Sequence, residues 1–236
     1  MSFSYGAKIV TDGLVFYVDA ANPNSYVSGN TTVDSLVSNV TGSLISDTDF
    51  STDNQGTWVF DGLDDYAIFP NFTDIQGNSE FTVDGWFKRS GTWSGGATWG
   101  LGGNATRQGI NSWNYNNSNE IAIDLWGTST YSSEQTYSLT EWKHCVWVYN
   151  GSGFTTSNIF IYVDGVEYTG GNLTILRGGS GTPNINSTGL VLSRAGTTIN
   201  NYYGKPIISN FKVYDRALSQ TEIIENYNAL KGRFGL

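Results

Sequence analysis

The segment that most restricts the fold lies near the end of the chain, where an alternating strand runs directly into the start of a helix. Phe211 and Val213 alternate with polar neighbours over residues 208–214, which is typical of a strand with one buried face. Ser219 and Glu222 have the spacing of a capping box, in which two residues satisfy each other's backbone N–H groups at a helix start. The apolar residues that follow share one helical face: Ile223, Ile224, Tyr227 and Leu230. The sequence therefore predicts a β-sheet protein that closes with one short helix.

Composition favours many short strands joined by tight turns. The 236 residues include 29 glycines and 14% aromatic residues but only 14% charged ones, a balance that a helical bundle would not have. All-β sandwiches of this length often form one domain. We therefore predict an all-β, two-sheet antiparallel sandwich with a short C-terminal helix, as a single domain over residues 1–236. Residues 1–8 and 231–236 have no place in the core pattern and are predicted to be terminal arms.

Charge and cysteine content disfavour several function classes. The net charge of −9, with 12 unclustered Lys and Arg residues, disfavours contact with the phosphates of nucleic acids. The first residues lack the basic and apolar regions of a signal peptide, and no apolar run approaches the roughly 18 residues of a membrane span. The single cysteine, Cys145, allows no internal disulfide. We expect a protein that is made in the cytoplasm and binds neither nucleic acid nor membrane.

Four parts of the chain carry recognisable motifs: residues 13–26, 59–66, 141–152 with 161–165, and 208–227. They are an opening strand, an F-D-G-x-D-D-Y segment, a W-x-H-V and Y-V-D-G pair, and a closing strand and helix. In this order they resemble the laminin-G-like jelly-roll domains of the concanavalin A-like lectin/glucanase fold. The resemblance implies that the predicted sandwich is a jelly roll.

Residues 13–26 and 226–234 resemble in particular single-domain laminin-G-like proteins of tailed phages, including those of marine cyanophages. This resemblance implies a non-enzymatic structural protein at the virion surface, which decorates the capsid or is associated with the tail or its fibres. Its partners would be other virion proteins, copies of itself and host-surface polysaccharide. Two alternatives stay open, a freestanding calcium-assisted carbohydrate-binding module or lectin and a glycoside hydrolase.

The resemblance also implies a place for a calcium ion. In many relatives Ca²⁺ lies where the first and last strands meet, which corresponds to Asp19 and Asn210 in this sequence. The acid of the last strand in those relatives is replaced here by Ser209. Because Ca²⁺ prefers several oxygens with carboxylates among them, this loss weakens the site, although Asn210 and backbone carbonyls could compensate. We expect no required cofactor, with Ca²⁺ as the ion that this fold could hold.

Catalysis is not predicted, because the sequence offers no suitable pair of carboxylates. Retaining glycosidases need two carboxyl groups about 5–5.5 Å apart. Glu120 and Asp124 share a strand face but are separated by roughly 13 Å, with Ala122 in place of the middle acid of the glycosidase pattern. The aspartates of residues 61–65 are closer together and are interpreted as turn formers. We therefore predict that the chain is not an enzyme.

Aromatic residues in and beside loops rich in Asn, Gly and Ser favour glycan binding instead. Flat rings pack against the C–H faces of sugars, while Asn and Asp bond the hydroxyl groups. The candidate glycan-binding residues are Trp93, Trp99, Trp113, Tyr115, Trp126 and Tyr131. The alternative for each ring is a place in the core of the sandwich.

Overall fold

Two antiparallel β-sheets and one helix near the end of the chain make up the fold. The computed structural model describes residues 8–236 except 92–94, 114–119, 137, 139, 180, 187 and 199–200, and only the backbone of Trp113. The strands are β1 (Leu14–Asp19), β2 (Thr32–Asp34), β3 (Thr41–Ile45), β4 (Asp49–Ser51), β5 (Thr57–Val59), β6 (Tyr66–Phe69), β7 (Phe81–Arg89), β8 (Ala97–Gly102), β9 (Gly109–Trp113), β10 (Glu120–Leu125), β11 (Ser129–Thr136), β12 (Lys143–Tyr149), β13 (Ile159–Val163), β14 (Val166–Thr169), β15 (Thr174–Arg177), β16 (Leu190–Leu192) and β17 (Pro206–Tyr214). The helix α1 spans Gln220–Leu230, and short 3-10 turns lie at Asp53–Gln55, Gly170–Asn172 and Lys231–Phe234.

The sheet order confirms the predicted all-β antiparallel sandwich with a C-terminal helix. Among the described residues, the first sheet has eight strands in the order β14-β13-β12-β7-β17-β5-β4, and β1 also pairs with β17. The second sheet has nine described strands in the order β15-β11-β10-β9-β8-β16-β6-β3-β2. The strand that leads into the helix, β17, therefore lies in the middle of the first sheet.

Aromatic side chains from the inner faces of both sheets fill the space between them. Phe16 of the first sheet meets Phe69 of the second edge to face, with ring centroids 4.8 Å apart. Trp147 of the first sheet meets Trp99 of the second in the same way at 5.4 Å. All four rings are fully buried, and edge-to-face contacts suit the charge distribution of aromatic rings. The alternation that the sequence showed thus builds the core.

The helix packs on the outer face of the first sheet. Its start is the predicted capping box, because the Ser219 hydroxyl accepts from the Glu222 N–H and the Glu222 carboxylate accepts from the Ser219 N–H. Hydrogen bonds from Arg216 and from the cap lower the pKa of Glu222 to about 2. Ile223 is fully buried among side chains of β12, β13 and β17. No helix in the described part of the chain is long and apolar enough to span a membrane.

A buried charged cluster lies between this sheet and the helix. The carboxylate of Asp84 accepts from Lys212 Nζ at 2.7 Å and from Asn226 Nδ2 at 2.8 Å, and His144 Nε2 lies 3.2 Å away. Asp84, Lys212, His144 and Asn226 have no exposed surface. Burial alone would raise the pKa of Asp84, but the charges and hydrogen bonds of Lys212 and His144 hold it well below its usual value. Because Asn226 belongs to α1, the cluster ties the helix to the sheet.

The prediction that residues 231–236 form a terminal arm is wrong. Phe234 is buried, with its ring stacked on Trp86 at 4.1 Å and tilted against Trp142 at 5.0 Å. Arg233 forms an ion pair with Asp19, at the far end of the sequence. The reason is that the outer face of the first sheet carries aromatic rings which need cover, and this segment supplies it. Of the other predicted arm, residues 1–8, only Lys8 lies within the described residues.

We expect the substitution Phe234→Ala to lower the free energy of unfolding by about 3–5 kcal/mol, the usual cost of deleting a buried aromatic ring. Urea unfolding followed by circular dichroism measures this loss. The matched control is Leu236→Ala, because Leu236 is 55% exposed and its truncation should change stability by less than about 0.5 kcal/mol. Equal stability of the two variants would show that the segment is not packed.

Candidate functional site

A row of polar side chains crosses the outer face of the second sheet. Ile121, Ile123 and Leu125 of β10 point into the core, so the residues between them face outward. Strand pairing brings four polar residues side by side on β9, β10, β11 and β15. This polar row consists of Asn111, Asp124, Thr130 and Arg177.

An ion pair occupies the centre of the polar row. Asp124 Oδ1 accepts from the Thr130 hydroxyl and from Arg177 Nη2, each at 2.6 Å. Asp124 is buried, whereas the side chain of Arg177 is 37% exposed. Burial raises the pKa of the Asp124 carboxyl, and the bonds from Thr130 and Arg177 lower it in part. The row therefore offers a fixed carboxylate beneath a guanidinium that is accessible from solvent.

At one end of the row lies an amide without a partner. Asn111 is buried, and neither its Oδ1 nor its Nδ2 has a hydrogen-bond partner in the part of the chain that the structure describes. Next to it, a Cβ on Gly100 would collide with the backbone N of Gly196, so glycine lets the 193–198 segment lie against the sheet. A buried amide with no partner costs about 1–3 kcal/mol, and such groups need a specific explanation. Binding of a bridging water or a ligand hydroxyl would supply one.

Two aromatic rings stand beside the row. Trp126 follows Asp124 by two residues and packs against the cluster of Ala97 and Ala195. Its ring lies 6.2 Å from the ring of Tyr202, which is 41% exposed. The outer face of the second sheet thus combines partly exposed aromatic surface with hydrogen-bonding groups.

Of the six predicted glycan-binding residues, three have described side chains, and two of these three lie in the core. Trp99 and Tyr131 are wrong predictions, because alternation places both rings on the inner face. Trp99 packs against Trp147, and the Tyr131 hydroxyl donates to the Phe154 carbonyl at 3.1 Å. Trp93, Tyr115 and the side chain of Trp113 lie outside the described residues. Among those described, Trp126 is the predicted ring that lies beside the polar row.

Three members of this site were not predicted from the sequence: Asn111, Tyr202 and Arg177. Tyr202 follows the pair Asn200-Asn201, a polar loop signal like the one used for the other rings. No local sequence pattern indicates that Arg177 belongs to the site, because only the pairing of β15 with β11 brings it to Asp124.

The residues predicted to bind calcium do not fit that ion. The carboxylate of Asp19 accepts from Arg233 Nη1 at 2.8 and 3.0 Å, from the Tyr17 hydroxyl and from the Ala21 N–H. The Asn210 Oδ1 accepts from Lys212 Nζ at 3.1 Å. Side-chain cations therefore already occupy the oxygens that Ca²⁺ would need.

The aspartates after β5 lie close together. Ligand oxygens of Asp61, Asp64 and Asp65 lie within 4.8 Å of one another, and Asp65 is buried while the other two are exposed. The Asp65 carboxylate accepts from the Asp61 N–H at 3.1 Å, and Asp61 Oδ1 accepts from the Leu63 N–H at 2.7 Å. These bonds are those of a turn, as interpreted from the sequence.

The sequence and the fold of this chain are similar to those of known proteins. The profile of the concanavalin A-like lectin/glucanases superfamily matches residues 60–224, which is more than half of the chain. The chain belongs to this superfamily. No curated protein has a significantly matching sequence.

Solved structures with this superfamily fold include proteins that act on or bind sugars. Trypanosoma rangeli sialidase, in complex with 2,3-difluorosialic acid, is 15% identical, with a TM-score of 0.67 over 99% of this chain and 35% of that one. Domain 4 of AbnA, a GH43 extracellular arabinanase from Geobacillus stearothermophilus, in complex with arabinotriose, is 14% identical, with a TM-score of 0.63 over 91% of this chain and 98% of that one. The chain spans about a third of the length of the sialidase chains it matches. At these identities the likeness shows the fold.

These similarities contradict the prediction that the chain is not an enzyme. A sialidase chain contains this superfamily fold, and so does a domain of an arabinanase. The prediction used the resemblance to structural phage proteins and the spacing of Glu120 and Asp124 in the sequence. Because the fold occurs within glycoside hydrolases, neither ground excludes that activity.

We expect the substitution Asp65→Asn to flatten the dependence of stability on pH between about 4 and 6. Burial first, and then the charges of Asp61 and Asp64, raise the pKa of Asp65 from 3.8 to about 6. The folded chain therefore holds this proton more tightly than the unfolded chain. The carboxyl favours folding most below its unfolded pKa, and this contribution is lost as the pH rises through about 6.

Melting temperatures of both proteins across this pH range test the expectation. Asp65→Asn should gain stability over the unsubstituted chain above about pH 6. The control Asp74→Asn, at an exposed aspartate outside this turn, should keep the wild-type slope. A slope that survives in Asp65→Asn would assign the pH dependence to other groups.

Proposed function

We propose that this chain binds carbohydrate on the outer face of its second sheet. Trp126 and Tyr202 would pack against the face of a sugar ring, while Arg177 and Asp124 hold its hydroxyl groups. The observation that carries the proposal is the unpartnered Asn111 amide in the same cross-strand row as the Asp124–Arg177 ion pair. Since Asn111 is buried, a bound sugar would reach its amide through a bridging water.

The chemistry of the site suits a sugar better than an apolar ligand. A carboxylate, a guanidinium and an amide provide both donors and acceptors, which matches the alternating character of sugar hydroxyls. The partly exposed rings provide the flat surface for C–H faces. The arabinanase domain of the same fold, which binds arabinotriose, supports the choice of a saccharide.

Hydrolysis of the bound sugar is a second candidate activity. Asp124 supplies a buried carboxylate at the centre of the site, one of the two carboxyl groups that such a reaction requires. Its neighbour on the strand, Glu120, lies four residues away, or roughly 13 Å, which exceeds the 5–5.5 Å of a retaining pair. A second carboxyl would therefore have to come from another element.

A location at the virion surface, with virion proteins, copies of the chain and host polysaccharide as partners, stays a prediction from the sequence. It depends on the resemblance of residues 13–26 and 226–234 to phage proteins. Attachment of a virion to polysaccharide would use the same sheet face that we propose for the sugar.

We expect Trp126→Ala to weaken binding of a polysaccharide by at least about tenfold, or about 1.4 kcal/mol, because the ring loses its contact with the sugar. A panel of neutral and acidic polysaccharides in affinity electrophoresis finds the ligand, and calorimetry then measures the affinity of each variant. Arg177→Ala should weaken binding as well. The matched control is Tyr168→Ala, an aromatic residue of β14 in the other sheet, which should leave affinity unchanged.

Reducing ends released from the same panel report hydrolysis. If they appear, Asp124→Asn should abolish the release. A folded protein that retains full affinity after both Trp126→Ala and Arg177→Ala would rule out this face as the binding site.

A further inference from the structure

Arg233 lies at a point where oxygen atoms from two separate parts of the chain converge, Asp19 and the turn at residues 54–56. Its Nη1 contacts both carboxylate oxygens of Asp19, at 2.8 and 3.0 Å. Its Nε donates to the Asn54 carbonyl at 2.5 Å and its Nη2 to the Gly56 carbonyl at 2.8 Å. The side chains of Arg233 and Asp19 are only 8% and 10% exposed. Four oxygens thus surround one buried cation.

The backbone that supplies two of these oxygens adopts an unfavourable conformation. Asn54 and Gln55 have φ values of 49° and 71°, in the left-handed region that non-glycine residues rarely adopt. At Gly56, with φ of 149°, a Cβ would lie 2.6 Å from the Ala20 carbonyl oxygen. Trp142 Nε1 donates to Asn54 Oδ1 at 2.8 Å and fixes the turn. Consecutive left-handed residues persist only where their surroundings compensate for the strain. Here the Arg233 guanidinium compensates for it, because it binds the carbonyl oxygens of Asn54 and Gly56.

These oxygens are of the type that binds calcium. One carboxylate and two backbone carbonyls are typical Ca²⁺ ligands, and Ca²⁺ tolerates irregular geometry. We propose that the Arg233 guanidinium takes the place of a divalent cation in this oxygen site, so that the chain needs no metal there. The proposal does not depend on the proposed sugar binding, because the site belongs to the first sheet and the helix end.

The surroundings allow a metal ion to enter if the guanidinium is removed. An open cleft of about 610 Å³ adjoins the site and is lined by Asp19, Asn22, Gln55, Asn228 and Arg233. Water from this cleft can complete the six to eight oxygens that Ca²⁺ takes. In Arg233→Ala the four protein oxygens would keep one net negative charge and lose their cation.

We expect Arg233→Ala to lose stability and to regain part of it when CaCl₂ is added. At a Ca²⁺ concentration about tenfold above Kd, the melting temperature of the variant should rise by about 3–6 °C. The wild-type protein should shift by less than about 1 °C, because its site is filled. MgCl₂ at equal concentration should have little effect, since Mg²⁺ requires stricter geometry and holds its water.

Two controls make the outcome decisive. Arg216→Ala removes another arginine with two acidic partners, Asp12 and Glu222, and should not respond to Ca²⁺. The double variant Asp19→Asn/Arg233→Ala should lose the response, because the carboxylate is gone. The proposal is wrong if Arg233→Ala gains no more from Ca²⁺ than wild type or Arg216→Ala does.

If Arg233→Ala does not fold, the milder Arg233→Gln tests the same idea by terbium luminescence. The Trp142 indole is bonded to Asn54 at the site, so Tb³⁺ bound there should show emission excited through tryptophan. Calcium should displace this signal, and wild type should not produce it. Equal emission from wild type and Arg233→Gln would overturn the proposal.

Discussion

A carboxylate without access to water determines how one whole face of this protein is organised. Asp84 is fully buried on the outer side of the first sheet, and a buried charge is tolerated only when it is paired and hydrogen bonded. Lys212 and His144 come from the neighbouring strands, but Asn226 comes from α1. Removing the helix would leave the carboxylate with a missing donor, so the ionic cluster fixes the position of the helix and of the turn that follows it.

The outer faces of the two sheets differ in how far other parts of the chain cover them. On the first sheet, the helix, Phe234 and Arg233 cover aromatic and charged side chains from solvent. On the second sheet, the polar row keeps an exposed guanidinium and an aromatic edge. Partly exposed groups that could contact a ligand therefore lie on the second sheet, whereas the described residues of the first sheet use their outer face for packing.

Local patterns in the sequence predicted much of the fold. The alternation in β17 and the spacing of Ser219 and Glu222 specify a strand and a capped helix through short-range bonds, and both form as predicted. What local patterns do not specify is which face of a strand turns inward, which is why Trp99 and Tyr131 were assigned to the sugar site. Contacts between distant residues were also missed. Arg177 meets Asp124 only through strand pairing, and Arg233 meets Asp19 across 214 residues.

The central position of β17 has a consequence for the order of assembly. Its partners β1, β5 and β7 all precede it by more than 100 residues, yet they are joined through it into one layer. During translation these earlier strands leave the ribosome with unpaired edges, and the layer cannot close until residues 206–214 have emerged. Such long-range pairing slows folding and prolongs the exposure of unpaired strand edges, which are prone to aggregation. A ribosome that stalls before this point would release a chain prone to aggregate.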